Sequence, residues 1–171
     1  GWDKRALHFH ALFQMQLAGL NGAFLTGDLW RTYVWPGIEG TLTAAAVSIV
    51  LALALGFVMG VGRLSTHTGI RWVSSVFVEF FRAVPVLIMM IFAYFLYAFY
   101  EVFPSQYLAL AGVITGLTLY NGAVIAEIVR AGVHALPRGQ AEASSALGLT
   151  WGQTMRSILL PQAITSMLPV L

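Results

Sequence analysis

Charge-free apolar runs alternate along this chain with short polar connections. The first, residues 41–62, "TLTAAAVSIVLALALGFVMGVG", is 22 residues long. As a helix it reaches roughly 33 Å, enough to cross a hydrocarbon core of about 30 Å. Residues 83–100, "AVPVLIMMIFAYFLYAFY", form a shorter run whose aromatic end suits a membrane interface. Residues 105–126, "SQYLALAGVITGLTLYNGAVIA", form a third, and a fourth starts near Ile158. The pattern predicts an all-α, polytopic transmembrane helical bundle over residues 41–171. Its spans are 41–62, 83–100, 105–126 and 158–171 onward. Pro85 either kinks the start of the second span or sits as a tolerated first-turn proline.

The connections carry the orientation. Residues 63–82 hold Arg63, Arg71 and Arg82 against Glu79, and residues 127–156 hold Arg130, Arg138 and Arg156 against Glu127 and Glu142. The turn 101–104 has no base. The positive-inside rule puts the first two connections in the cytoplasm and the turn outside. Residues 1–40 are then extracytoplasmic by alternation. Arg31 runs mildly against the rule, but Asp28 and Glu39 beside it leave no basic cluster. This segment is partly apolar yet polar at His8, His10, Gln14, Gln16 and Asn21. It reads as an interfacial segment or as an additional weak span. His8 and His10, two apart, do not share a helix face, so no metal site is expected there.

Composition narrows the class. The chain is 58% hydrophobic and 9% charged, whereas a soluble domain is about 25% charged. A bilayer resolves the mismatch, because lipid-facing positions need to be apolar. The net charge of +2 is too small to suggest nucleic acid, and the absence of cysteine excludes disulfides and thiolate metal sites. The chain opens on Gly1 and stops in a rising apolar run, so it is expected to be part of a longer protein with an incomplete C-terminus.

Within the spans, Gly56 with Gly60 and Gly112 with Gly116 form two GxxxG pairs, which let helices approach closely in lipid. Ala111, Thr115, Thr118 and Gly122 make a small, partly polar stripe with Asn121 beside it. Thr115, Thr118 and Asn121 are candidates for a solute path; the competing reading is helix packing through hydrogen bonds. Glu79 with Arg82, and Glu127 with Arg130, are spaced i, i+3 at the cytoplasmic boundary. Local pairing is the simpler reading; a gate-side network between spans is the functional one.

The polar stretch 137–153, "PRGQAEASSALGLTWGQ", breaks the apolar pattern. Residues 139–147 are rich in helix formers, Gly148 is placed to end that helix, and Thr150 can cap the next. A rigid helix–glycine–helix protrusion suits docking of a partner; a merely solvated hairpin is the alternative. Glu142 is expected in the first turn, where the helix dipole favours a carboxylate.

These residues resemble a known family. "GQAEASSALGLTWGQTMRSILLPQA" is similar to the EAA motif of ABC-importer permeases, with Glu142, Ala143 and Ser144 at the EAA positions, Gly148 at the glycine, and Ile158, Leu160 and Pro161 in the later part. Ser144 stands where the motif has its second alanine. "YNGAVIAEIVRAGVHALPRGQ" and "VEFFRAVPVLIMMIFAYF" resemble the polar amino acid branch, and "WPGIEGTLTAAAVSIVLALALG" is most like an actinobacterial glutamate-type permease.

The resemblance implies a type I ABC importer permease (MetI-like) fold in a bacterial cytoplasmic membrane. It also implies the partners: two ABC ATPase subunits, a second permease, identical or related, and an extracytoplasmic solute-binding protein. Carried over residue by residue, Gly139, Gln140, Glu142, Ala143, Ser144 and Gly148 would couple the bundle to the ATPase. Ala143 and Ser144 would permit close approach, and Gly148, besides capping its helix, would hold the bend. No cofactor is expected in this chain, since it lacks the P-loop GxxxxGK[ST] and ATP with Mg would belong to the partner. No catalysis is expected of the chain itself. An ion-gradient-driven carrier would want acidic groups in its spans or an internal repeat, and the first three spans hold no Asp or Glu. A membrane scaffold with a docking loop is the remaining alternative.

Overall fold

The computed structural model describes residues 29–167, with 13–16, 19 and 27. The expectations for His8, His10 and Asp28, and the end of the fourth span at 168–171, lie outside the described residues. The chain divides into two compact units, Gly1–Thr43 and Ala44–Leu171. The regular elements of the described residues are all helices, with no strand among them.

In the first unit a π-helical stretch, Trp30–Val34, leads into helix α1 (Trp35–Arg63). The Thr41 and Thr43 hydroxyls donate to the carbonyls of Gly37 at 2.8 Å and Glu39 at 2.7 Å. Such back-bonding satisfies a hydroxyl inside an apolar helix.

In the second unit, α1 buries Ala44, Ser48, Ala52, Gly56 and Gly60, one small residue every fourth position. That spacing makes a single flat stripe. The leucines and valines between stay outward, as a lipid-facing helix requires. α1 ends at Arg63, one residue beyond the charge-free run.

Helix α2 (Thr68–Ala83) is amphipathic. It buries Ser74 and Val78 and turns Ile70, Trp72, Val73, Val76 and Phe80 outward. Helix α3 (Val86–Phe99) follows after a bend of 101°. The cause is Pro85: Val84, pushed out of the helical region, is extended at φ −87°, ψ 128°. The Pro85 carbonyl then accepts the amides of Ile88 at 3.0 Å and Met89 at 3.3 Å and starts α3. α3 is therefore shorter than the charge-free run 83–100, and Ala83 belongs to the preceding helix.

α3 closes on a left-handed residue, Glu101 at φ 50°. The Val102 amide returns to the Tyr97 carbonyl at 3.0 Å, the pattern that satisfies carbonyls at a helix end. A 3₁₀ turn, Ser105–Tyr107, opens helix α4 (Leu108–His134). α4 runs without a break past Glu127, so residues expected as the start of a loop continue the helix for two more turns.

α4 is the centre of this unit. It packs on α2, α3 and the later helix α7 (Leu160–Met167), and against α1 through glycines. A Cβ on Gly56 would lie 2.6 Å from the Ile125 Cβ and 2.8 Å from the Gly122 carbonyl. One on Gly116 would lie 3.0 Å from the Met90 amide nitrogen. Both GxxxG pairs are thus helix seams in which backbone meets backbone. Two apolar clusters fill the rest: Val78, Ala123 and Ala126 between α2 and α4, and Val129, Val133, Met155, Leu159, Leu160 and Ala163 beneath them.

Candidate functional site

Two polar features stand at the end of the bundle where α1 and α4 finish. The first is the hairpin. Helix α5 (Arg138–Ala146) starts after Pro137 and ends in a left-handed glycine, Gly148, at φ +77°. The Gly148 amide bonds the Ser145 carbonyl at 3.0 Å and the Leu149 amide bonds the Ser144 carbonyl at 3.1 Å. This double closure fixes the turn. Helix α6 (Trp151–Thr154) then begins with a full capping box: the Thr150 amide donates to Gln153 Oε1 at 2.8 Å, and the Gln153 amide donates to the Thr150 hydroxyl at 3.4 Å. A π-helical turn, Met155–Leu159, carries the chain into α7. Pro161, which has no amide hydrogen to give, lies just beyond it.

The hairpin has two faces. Ala141 packs against the lower apolar cluster, and Ser144 is 2% exposed with its hydroxyl donating to the Gln140 carbonyl at 2.7 Å. Gly139, Glu142, Ala143 and Gly148 lie outward, and Leu147 at the tip is 80% exposed. Ala143 and Ser144 fall on different faces, because one residue along a helix turns about 100°: Ala143 is exposed and Ser144 lies on the bundle side. One expectation changes: α5 begins at Arg138, so Glu142 stands in the second turn, not the first, and gains little from the dipole.

The second feature is a charged knot. Glu127 accepts from Arg63 Nη1 at 2.6 Å and from Arg130 Nη2 at 2.5 Å, and lies 3.7 Å from Arg82 Nη1. Arg63 also donates to Glu79 at 3.3 Å. The Glu127–Arg130 pair is local, as its spacing suggests. The Glu79–Arg82 pair is not made: Glu79 turns to Arg63 on α1 and Arg82 to Glu127 on α4. The knot therefore ties α1, α2 and α4 together. Its core is Arg63 with Glu127, whose side chains are 10% and 23% exposed; the more open Glu79 and Arg82 contribute little to stability.

In the sequence Arg63 stands out only as a topology signal, because its partner Glu127 is 64 residues away.

The three path candidates do not converge. Thr115 shares a hydrogen with the Tyr97 hydroxyl of α3 at 2.8 Å. Both line an apolar pocket of about 310 Å³ with Phe103 and Tyr107. The Thr118 hydroxyl is buried without a partner among the described residues. Asn121 is exposed and donates to the Leu117 carbonyl of its own helix at 2.9 Å.

Residues 52–171 match the family described as binding-protein-dependent transport system inner membrane component, and the chain belongs to that family. Among its relatives is the glutamate transport system permease protein GluD of Corynebacterium glutamicum, 53% identical over 148 residues, 86% of this chain and 54% of that one. A probable amino-acid ABC transporter permease protein, YckA of Bacillus subtilis, is 35% identical over 81% of this chain and 60% of its own length. The chain thus spans about half the length of the first relative. In structure it is similar to an amino acid ABC transporter crystallised with histidines, with a TM-score of 0.66 at 25% identity over 91% of this chain and 67% of that one. It is also similar to the MetNI methionine ABC transporter in an inward-facing conformation, with a TM-score of 0.58 over 80% of this chain and 63% of that one. The fold is the MetI-like permease fold, all-α, as the resemblance implied.

Proposed function

We propose that this chain is the translocating part of an ATP-driven importer for a polar amino acid, with glutamate the favoured solute, in the cytoplasmic membrane of a bacterium. The similarity to a glutamate permease at 53% identity supports the solute class. The hairpin built from α5, Gly148 and α6 carries the mechanism. It is polar and outward on one face, locked at both turns, and seated through Ala141 and Ser144 on the apolar cluster that includes α4 and α7. Force applied to its outer face passes to those helices rather than being lost in a mobile loop. ATP-driven closure of two partner ATPases, with ATP and Mg held in them, would push on Glu142 and Ala143. A second permease, identical or related, would complete the pathway, and a solute-binding protein would deliver the amino acid on the opposite side.

The knot of Arg63, Glu79, Arg82, Glu127 and Arg130 is placed to gate the cytoplasmic end, because its arms reach three helices that must part for the solute to leave. Thr115, Thr118 and Asn121 remain candidates for the solute path.

The test uses the full-length permease in proteoliposomes with its ATPase and binding protein. Ala143→Trp places a bulky ring on an outward position and is expected to cut ATP-driven uptake at least tenfold while thermal stability in detergent stays unchanged. Full uptake by that variant, or uptake driven by an ion gradient without ATP, would overturn the reading.

A further inference from the structure

Beside the knot lies a pocket of about 340 Å³ that the transport reading does not use. Arg63, Arg71 and Arg130 line it, with Ser65, Ser75 and His134. No carboxylate is in its lining. Around it four arginines, counting Arg82, stand near two carboxylates, Glu79 and Glu127, so positive charge is in excess.

Two arginines of the pocket carry donors with no protein partner among the described residues, one buried and one exposed. Arg63 has a side chain 10% exposed, and its Nε is buried with no partner, although its two terminal nitrogens are bonded. Arg71 forms no ion pair or hydrogen bond through its side chain among the described residues. A buried unpaired guanidinium nitrogen is costly, so it marks a place where an acceptor is missing. Planar arginines beside hydroxyls suit a tetrahedral oxyanion. The neighbouring helix α2 strengthens the case for a membrane source: it bends 101° from α3 and turns Ile70 and Trp72, which flank Arg71 in sequence, outward, which is the make-up of an interfacial helix.

We infer that this pocket binds a phosphate-class anion, held by the unpaired Arg71 and drawn by the charge of Arg63 and Arg130 in the same lining, and that the anion joins α1, α2 and α4 at the end of the bundle bearing the hairpin. The anion can come from an anionic lipid headgroup or from soluble phosphate, which share this chemistry.

The experiment uses the full-length permease complex with its ATPase. In one arm it is reconstituted in nanodiscs of phosphatidylcholine with a fifth phosphatidylglycerol, and the lipids retained after detergent extraction are counted by native mass spectrometry. In the other, binding of radiolabelled inorganic phosphate is measured in detergent. Arg71→Gln, whose side chain holds nothing else in place, is compared with Arg138→Gln, an exposed arginine on α5 outside the pocket. The expected result is about tenfold weaker binding of one probe in Arg71→Gln and unchanged binding in Arg138→Gln. Loss confined to phosphatidylglycerol identifies a headgroup, and loss confined to inorganic phosphate identifies a soluble ligand; either supports the site. Binding of neither probe, or equal losses in the two variants, overturns it.

Discussion

The glycines of the seams and the glycines of the hairpin do opposite jobs. Gly56, Gly60, Gly112 and Gly116 sit in ordinary helix and are needed for the volume they lack: each would drive a Cβ into a neighbouring helix. A Cβ on Gly148 would meet nothing within 4 Å, and the residue is needed for its φ of +77°. Gly139 has neither constraint, with open space around it and a helical position. One residue type thus builds a close-packed bundle in one region and a fixed bend on an open surface in the other. A mutation to alanine should tell the two apart, since it adds volume in the first and backbone strain in the second.

The largest effect is expected at the seam. Gly56→Leu cannot be seated without parting α1 from α4, and the variant should fail to give a monodisperse protein in detergent. Gly56→Ala should fold but lose about 1–3 kcal/mol, the usual cost of overpacking; a thermal shift near zero would mean that the seam is loose.

Next comes the knot. Glu127→Gln leaves Arg130 without its counter-charge and Arg63 with only the exposed Glu79. Breaking a well-buried pair costs about 3–5 kcal/mol, and the partial exposure of Glu127 brings the expectation down to about 2 kcal/mol. Glu79→Gln, at the exposed edge, should cost under about 1 kcal/mol. Equal losses for the two would contradict the ranking of buried over exposed arms.

The hairpin gives smaller numbers. Gly148→Ala is expected to cost about 1 kcal/mol from its left-handed backbone alone, and Gly148→Asn less, because asparagine tolerates that conformation. Gly139→Ala should be neutral or stabilising by up to about 0.5 kcal/mol. A larger loss at Gly139 than at Gly148, in thermal unfolding of the purified permease, would erase the distinction drawn between them.

What could be read from the residues in advance follows a physical line. Features set by neighbours in sequence were legible: the apolar runs that became α1, α3 and α4, the GxxxG pairs, the turn at Gly148 and the cap at Thr150 all depend on groups within a few residues. Features set by tertiary pairing were not. Glu79 and Arg82 have ideal local spacing, yet Arg63 and Glu127, brought close by the seam between α1 and α4, draw each of them away. The break at Pro85 was open between a kink and a first-turn proline, and it became both a helix stop and a helix start. The continuation of α4 past Glu127 was also missed, since charge alone suggested a loop there, while Val129 and Val133 hold the helix in the apolar cluster.

The same reasoning separates the faces of α5. The motif names Ala143 and Ser144 together, but helical rotation sends one outward and the other into the bundle. The most direct measurement of the account is therefore a cross-link at the outward face. This chain contains no cysteine, so Ala143→Cys and, at the other end of the bundle, Ser105→Cys can each be tested with a short bifunctional reagent in membranes containing the assembled transporter. Cross-linking of Ala143→Cys to the ATPase subunit, with none from Ser105→Cys, is the predicted result. No ATPase adduct at position 143, or an equal adduct at position 105, would contradict the claim that the hairpin is where the motor meets the bundle.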